Sequence, residues 1–383
     1  MAVNVVPTVI YSSMLGVTLF ALLECLSKPR QRQTAYLIAL FSLLLVHILG
    51  ELHIYSGFYQ YAPSLAGLQF PIRMLLGPAL YFYAFATMSP DKALPRKAYA
   101  LAMLGPVLIV LIMLPFLFGS TPEEKLALAD PSTRDPALWK IAVTTCVVSM
   151  LAFILFTGAY LVATLRLHAR HRRQLLDRFA SIEDRSMDWF RVVLLLWGAA
   201  WLLFAIEYMV GFLGYRWFGS GIVLPTIEAV ILLVFAHLAI NQPVLTDSDK
   251  GKETDKDKES AAPSRLPSLK AERMQQIAQT LNQVMAKDKL YMESDLSLKK
   301  LSETISVSEN HISETLSQFL DTNFFQFVNE YRVDAAKQLV KGSDMQVSAI
   351  AYEVGFNSKS TFNAAFKKSV GETPTAYRRQ QTH

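Results

Sequence analysis

Long apolar runs alternate with short polar segments over the first 241 residues of the chain. Seven of these runs are long enough to cross a bilayer, because about 20 mostly apolar residues suffice for a membrane-spanning helix. They cover residues 5–26, 34–52, 70–88, 99–118, 139–165, 190–213 and 222–241. The pattern therefore predicts an all-α bundle of seven transmembrane helices at residues 1–241.

The pattern changes after residue 241. Residues 242–268 are rich in Asp, Lys, Glu and Ser with nearly balanced charge, a composition typical of a disordered tether. From residue 269 apolar residues recur at helical spacing, beginning with Met274, Ile277 and Leu281 on one face of a first helix. We therefore expect a transmembrane domain at 1–241, a flexible charged linker at 242–268 and a helical domain at 269–383.

The sharpest local pattern lies in residues 346–378, where two short helices flank a glycine. Their inward faces are formed by Val347, Ile350, Ala351 and Val354 in the first and by Phe362 and Phe366 in the second. Gly355 permits the left-handed turn that a β-carbon would obstruct, and Asn357 or Ser358 can cap the second helix. The segment predicts a helix-turn-helix unit.

Residues 296–319 repeat this pattern. The inward faces are formed by Leu298, Leu301 and Ile305, and then by Ile312, Leu316 and Phe319. Ser308 is placed to cap the second helix, and Val307 to fill the turn. Between the two units, residues 324–340 predict a single amphipathic helix. Its expected buried side consists of Phe327, Val328, Tyr331, Ala335 and Leu339.

The second unit resembles the C-terminal signature of the AraC/XylS family of transcription regulators. The matching residues are Gly355, Phe356, Ser360, Phe362, Phe366, Lys367, Gly371, Thr373, Pro374, Tyr377 and Arg378. The resemblance covers about residues 270–379 and leaves the other two-thirds of the chain unexplained. It implies a seven-helix domain in which one long helix bridges two helix-turn-helix units. It also implies recognition helices at 308–318 and 358–368 that enter the major groove of double-stranded DNA.

The outward side chains of these two helices are the candidate DNA contacts, because amides and hydroxyls suit base edges and ammonium groups suit phosphates. The candidates on these helices are Ser308, Asn310, His311, Ser313, Ser358, Lys359, Ser360, Asn363, Lys367 and Lys368, and Asn357 and Arg378 outside them are added. Residues 291–331 carry two lysines against seven acids, whereas residues 341–383 carry six basic residues against three acids. We expect phosphate affinity in the second unit. The first unit either reads bases through Asn310 and His311 or contacts a partner.

Charges that flank the apolar runs predict the topology. The first, third and fifth connections contain Lys28, Arg30, Arg32, Lys92, Arg96, Lys97, Arg166, Arg170, Arg172, Arg173, Arg178 and Arg185. The even-numbered connections are poorer in basic residues. The positive-inside rule therefore places the N-terminus outside a bacterial inner membrane and the C-terminal domain in the cytoplasm. No Lys or Arg precedes the first run, so we interpret it as a retained anchor rather than a cleaved signal peptide.

Arg73 is the most informative ionisable residue inside the apolar runs, because a charge at that depth is costly unless it is paired or hydrated. Its candidate partners are Glu51, Glu207 and Glu228. One interpretation is a ligand pocket on the outer side, where a small anionic ligand competes for Arg73 and Tyr81 contributes to a polar wall. The alternatives are an ion pair that only fixes helix packing, and simple aromatic packing for Tyr81.

Other kinds of site are not indicated by the sequence. Cys25 and Cys146 both lie in apolar runs, which argues against a disulfide framework or a cysteine metal site. We find no phosphate-binding glycine loop, no His/Glu metal spacing and no nucleophile elbow. We therefore expect neither cofactor nor metal, and no catalytic activity.

Together these patterns predict a membrane-integrated one-component transcription regulator. A signal sensed among the spans would change sequence-specific DNA binding, and pairing in a homodimer would raise affinity through effective concentration. Two alternatives remain. One is a transporter-like or solute-binding membrane protein with an attached DNA-binding reporter domain. The other is a tethered factor released by proteolysis within residues 242–268.

Overall fold

A computed structural model of the protein describes residues 3–90, 92–128, 132–212, 221–242 and 269–381. These residues are mostly helical and contain no β-strand, which confirms the predicted all-α class. They form two compact units. The first contains the described residues up to His168 and from Asp188 to Gln242, and the second contains Ala169–Met187 and the residues from 269 onward. Residues 243–268 of the predicted linker lie outside the described residues.

The first unit is built from apolar helices. They are α1 (Val5–Ser27), α2 (Arg32–Tyr55), α3 (Gln69–Arg73), α4 (Leu76–Met88), α5 (Arg96–Leu117), α6 (Pro122–Ala127), α7 (Pro136–Arg178), α8 (Asp188–Phe212) and α9 (Val223–Ile240). Among the described helices, α1, α2, α5, α7, α8 and α9 are the six that are long and apolar enough to cross a membrane. Helix α7 continues beyond His168 into the second unit.

The third predicted span differs from the others because it is interrupted. Helix α3 ends at Arg73 and α4 begins at Leu76. The ring of a proline inside a helix collides with the carbonyl group four residues earlier, which for Pro78 is that of Met74. In the first turn of α4, by contrast, Pro78 removes no helical hydrogen bond. The third predicted span therefore consists of two shorter helices.

Aromatic contacts hold the core of the first unit. Helix α1 packs against α2 and α9, and α8 packs against α9. The rings of Phe41 and Phe235 are 5.9 Å apart, and the ring of Tyr83 lies edge-on to that of Phe190 at the same distance. These four side chains are almost completely buried.

The second unit contains the seven helices implied by the family resemblance, within the described residues. They are α10 (Ala271–Lys287), α11 (Leu298–Ile305), α12 (Glu309–Glu314), α13 (Phe324–Gly342), α14 (Val347–Glu353), α15 (Lys359–Val370) and α16 (Pro374–Gln381). These helices pack around two hydrophobic clusters, one formed mainly by residues of α10–α13 and the other by residues of α13–α15. Helix α13 contributes Phe327 and Val328 to the first cluster and Val333 and Ala336 to the second, so it bridges both helix-turn-helix units.

Most of the predicted inward residues are buried, including Leu301, Ile312, Phe362 and Phe366 at 0% exposure. Phe319 is an exception, with 44% of its surface exposed. Residues Thr315–Phe319 wind as a π-helix after α12. The wider turn shifts the helical register by one residue, and Leu320 packs against the core where Phe319 was expected.

Candidate nucleic-acid interface and a polar cavity

The turn of the second helix-turn-helix unit has the backbone geometry expected from its sequence. Gly355 adopts φ +95°, in the left-handed region that favours glycine. Ser358, rather than Asn357, caps α15, since its hydroxyl accepts a hydrogen bond of 3.1 Å from the Thr361 N–H. Phe356 and Phe362 pack at 5.3 Å between ring centroids and fix the angle between the two helices.

This packing leaves the polar face of α15 outward. Lys359, Ser360, Lys367 and Lys368 are exposed, and Asn363 is half-buried on the same helix. Exposed ammonium groups beside an amide give the mixture of phosphate and base-edge contacts that a groove-entering helix requires. Asn357 is also exposed, immediately before the cap.

The first helix-turn-helix unit is organised in the same way. Ser308 caps α12 by accepting a hydrogen bond of 3.4 Å from the His311 N–H. Ser306 takes the left-handed position at the end of α11, with φ +52°, which corresponds to Gly355 in the second helix-turn-helix unit. Asn310 is exposed, and His311 and Ser313 are half-buried. The predicted contact residues of this helix-turn-helix unit therefore lie on α12 or cap it.

Arg378 is placed differently from the other candidates. Its Nε donates a hydrogen bond of 3.1 Å to the carbonyl of Val340 near the end of α13, and its side chain is half-buried. This bond ties α16 to α13. The contact of Arg378 with DNA phosphate stays a prediction.

A polar cavity of about 520 Å³ lies within the first unit. Its lining includes Tyr11, Glu51, Tyr55, Arg73, Arg134, Trp139, Phe204, Glu207, Tyr208 and Glu228. Four of the five predicted ligand-site residues, Arg73, Glu51, Glu207 and Glu228, are brought together here. Cavities of this size hold small molecules in other proteins.

Arg73 is the central charge of the cavity wall. Its side chain is only 4% exposed, and its Nη1 donates to Glu51 Oε1 at 3.3 Å. The guanidinium lies 4.2 Å from the centroid of the Phe204 ring, so its flat face is covered. Of its three predicted partners, Arg73 therefore pairs with Glu51.

The other two carboxylates are held by different groups. Glu228 accepts a hydrogen bond of 3.0 Å from the Tyr11 hydroxyl and lies 3.8 Å from His47 Nε2. Glu207 accepts one of 2.7 Å from the Gly221 N–H. Three carboxylates and a guanidinium thus share one cavity among apolar helices, where charged groups cost free energy unless they are paired or hydrated.

Tyr81 does not line the cavity. Its ring packs edge-on against Tyr160 at 6.0 Å, so the aromatic-packing alternative describes its position. Sequence reasoning missed the tyrosines that do reach the cavity, Tyr11, Tyr55 and Tyr208. A signal existed for Tyr55, because it lies one helical turn after Glu51 and shares its face.

Comparisons with known proteins agree with the geometry of the second unit. Residues 301–380 match the family model described as a helix-turn-helix domain. The chain is 36% identical over 98 residues to an uncharacterized HTH-type transcriptional regulator of Staphylococcus aureus (strain COL), covering 26% of this chain and 13% of that protein. It is 30% identical over 87 residues to the HTH-type regulator YijO of Escherichia coli (strain K12), covering 23% of this chain and 31% of that protein.

Among solved structures, the C-terminal domain of AraT, a response regulator from Geobacillus stearothermophilus, matches at 28% identity. The match covers 28% of this chain and 84% of that chain, with a TM-score of 0.24. The chain spans only 13% and 31% of the length of these two curated relatives, and the family model lies in its C-terminal region. The second unit of this chain carries a DNA-binding helix-turn-helix domain of the AraC type, the kind found in transcription regulators.

Proposed function

We propose that the protein is a membrane-integrated one-component transcription regulator whose DNA binding responds to a small ligand held among its apolar helices. The observation that carries this proposal is the charged cavity around Arg73 and Glu51, in the same chain as an AraC-type domain. No separate sensor protein or phosphate transfer is then required.

The surface of the first unit supports insertion in a lipid bilayer. Phe20, Phe118 and Leu155 are 68%, 73% and 75% exposed, and other large apolar residues on the same helices are also exposed. Water-soluble proteins rarely expose so much contiguous apolar surface, whereas lipid stabilises it. The proposed location is therefore the bacterial inner membrane.

The topology that we propose follows from the basic connections, with the N-terminus outside and the DNA-binding unit in the cytoplasm. In that topology the C-terminal ends of α2 and α8 and the N-terminal ends of α7 and α9 all lie on the outer side. Glu51, Trp139, Glu207 and Leu224 come from those four helix ends. The cavity would thus open toward the outer face, where external solutes enter.

The ligand that this cavity suits is small and polar. We infer that its anionic group competes with Glu51 for Arg73, and that Glu207 and Glu228 offer acceptors to a donor group elsewhere on the same molecule. The tyrosine and tryptophan side chains would contact its apolar part. Binding that replaces the Arg73–Glu51 ion pair would change the relation of α2 to α3, the helices that carry these two residues.

The proposal is tested by mapping genome-wide binding sites of the C-terminally tagged chain in cells, together with fractionation of the same cells. We expect discrete binding sites for a chain that remains in the membrane fraction. Arg73→Gln should change the occupancy of those sites, whereas Arg166→Gln, at an exposed position on α7, should not. Unchanged occupancy for Arg73→Gln would contradict sensing at the cavity, and a soluble C-terminal fragment would favour proteolytic release.

A further inference from the structure

The connection between α7 and α8 belongs to the same compact unit as the DNA-binding helices. Residues Ala169–Met187 group with residues from 269 onward, although they lie between two long apolar helices in the chain. The contacts are made by Phe179, Ala180 and Ser181, at the start of residues 179–186, here named the docking segment. Its contacts were not anticipated by any motif in the sequence.

Backbone hydrogen bonding joins the docking segment to the strand-like residues before α11. Phe179 and Ser297 form an antiparallel bridge, and the Ala180 N–H donates to the Leu296 carbonyl at 3.0 Å. The Ser181 hydroxyl donates to the carbonyl of Ser294, also at 3.0 Å. Ala180 is 1% exposed and is part of the hydrophobic cluster of the first helix-turn-helix unit.

Arg332 of α13 ties the same two stretches of chain together. Its Nε and Nη2 donate to the carbonyls of Tyr291 and Glu293, both at 2.7 Å. Its Nη1 donates to the Ala180 carbonyl at 3.3 Å and lies 3.4 Å from the Ser181 hydroxyl. The Arg332 side chain is fully buried, and this burial lowers its pKa to about 10, which leaves the guanidinium charged at neutral pH.

Asn329 adds a further bond to this arrangement. Its side-chain amide donates to the Ala180 carbonyl at 3.4 Å and accepts from Arg332 Nη1 at 3.2 Å. The carbonyl of one residue in the docking segment therefore receives donors from two buried side chains of α13. Buried polar groups with satisfied partners specify one geometry, because leaving any of them unpaired is costly.

We propose that the docking segment is a built-in coupling contact, through which the connection between α7 and α8 is bonded to the first helix-turn-helix unit. Along the chain, the second unit is then connected to the apolar helices by residues 169–187 as well as by residues 243–268. A displacement of α7 or α8 reaches Arg332 and α13 directly. The contact itself does not depend on the function proposed above, but its role in transmitting a signal does.

Disulfide trapping tests the contact in the full chain. The Phe179–Ser297 pair is a non-hydrogen-bonded antiparallel pair, whose Cα atoms are close enough for a disulfide. Phe179→Cys and Ser297→Cys are introduced together after Cys25→Ala and Cys146→Ala, with a protease site within residues 243–268. After oxidation and cleavage, we expect the two fragments to stay joined on a non-reducing gel. With the control pair, Phe179→Cys and Ser360→Cys, the two fragments should separate, because Ser360 is an exposed residue of α15 in the second helix-turn-helix unit.

A second experiment needs no disulfide. Membranes containing the cleavable chain are treated with protease and sedimented, and the C-terminal fragment is measured in the pellet. We expect it to remain with the membranes for the natural sequence and to be released at least several-fold more for Ala180→Glu, which forces a charge into the buried contact. Ala169→Glu, the same change at an exposed position of α7, should leave retention unaltered.

The outcomes separate the two proposals. Equal release of the natural and Ala180→Glu fragments, with no specific cross-link, overturns the docking contact. The cross-link also decides the case if Ala180→Glu fails to fold. If the uncut chain does not sediment with membranes at all, the proposed membrane function fails, while the cross-link can still support the contact.

Discussion

A Cβ atom placed on Gly355 would lie 2.7 Å from the carbonyl oxygen of Tyr291. The turn of the second helix-turn-helix unit therefore packs directly against the backbone that precedes the first helix-turn-helix unit. The same Tyr291 carbonyl accepts a hydrogen bond from Arg332 Nε, and the Arg332 guanidinium lies 5.5 Å from the Phe356 ring centroid. One small region thus fixes the relative placement of the two recognition helices.

Replacing Gly355 should loosen this region. We expect Gly355→Ala to lower the free energy of unfolding by about 2–5 kcal/mol, because a left-handed backbone is strained for alanine and the added methyl group meets backbone atoms. Pulse proteolysis in urea, followed through a C-terminal tag on the purified chain, measures the loss. Gly342→Ala is the matched control, since nothing lies within 4 Å of its Cβ position. Equal stability of the two variants would contradict the close contact.

The buried guanidinium of Arg332 gives a second prediction. Arg332→Met should lower the free energy of unfolding of the second unit by about 3–5 kcal/mol, because the carbonyls of Tyr291 and Glu293 lose their donor inside the core. Lys337→Met removes a partly exposed ion pair with Asp334 from the same helix and should cost less than about 0.5 kcal/mol. The same proteolysis assay compares them. A small effect of Arg332→Met would show that water replaces its bonds.

DNA recognition gives a third prediction, measured on the motif that the natural chain enriches from a random duplex library. Asn363→Ala should weaken binding and relax the preference at one base position, at a cost of about 1–3 kcal/mol. Lys367→Ala should weaken binding to all sequences alike and reduce the salt dependence, because it removes one phosphate contact.

The control for these variants is Lys287→Ala, an exposed lysine on α10 outside both helix-turn-helix units. Its affinity and salt dependence should match those of the natural chain. Losses as large as those of Lys367→Ala would indicate that bulk charge, rather than α15, determines binding.

The ion pair in the cavity gives a fourth prediction. Glu51→Gln and Arg73→Gln should each lower the melting temperature of the detergent-solubilised chain, because each leaves the other member of a largely buried ion pair without its partner. The double variant should lose less stability than the sum of the two single losses. The difference, which is the coupling free energy between the two side chains, should be about 1–3 kcal/mol. Additive losses in this double-mutant cycle would mean that the two groups do not interact.

Local periodicity accounts for much of what the sequence predicted correctly. The inward positions of α14 and α15, the glycine turn and the serine caps all depend on residues within a few positions of each other. The six long apolar helices follow from composition alone. The pairing of Arg73 with one of three acids also followed from a simple rule, that a charge in an apolar run requires a partner.

Contacts between distant residues could not be read in this way. Arg332 was not among the residues that the sequence pattern singled out, yet it follows Val328 by one helical turn on the buried face of α13 and bonds to Ala180, 152 residues earlier. The spacing of apolar residues predicted an inward Phe319 and did not indicate the π turn that exposes it. The interruption after Arg73, by contrast, has a local cause in Pro78. Periodicity predicts which face of a helix a residue occupies, but it does not predict which other residues that face contacts.

The central claim is that one chain reads DNA in the cytoplasm while its apolar helices lie in the membrane. Sealed vesicles of both orientations, prepared from cells that produce the full chain, test it most directly by capture of a random duplex library. We expect inside-out vesicles to enrich a defined sequence motif and right-side-out vesicles to enrich none. Enrichment by right-side-out vesicles alone, or by neither preparation, would contradict the account.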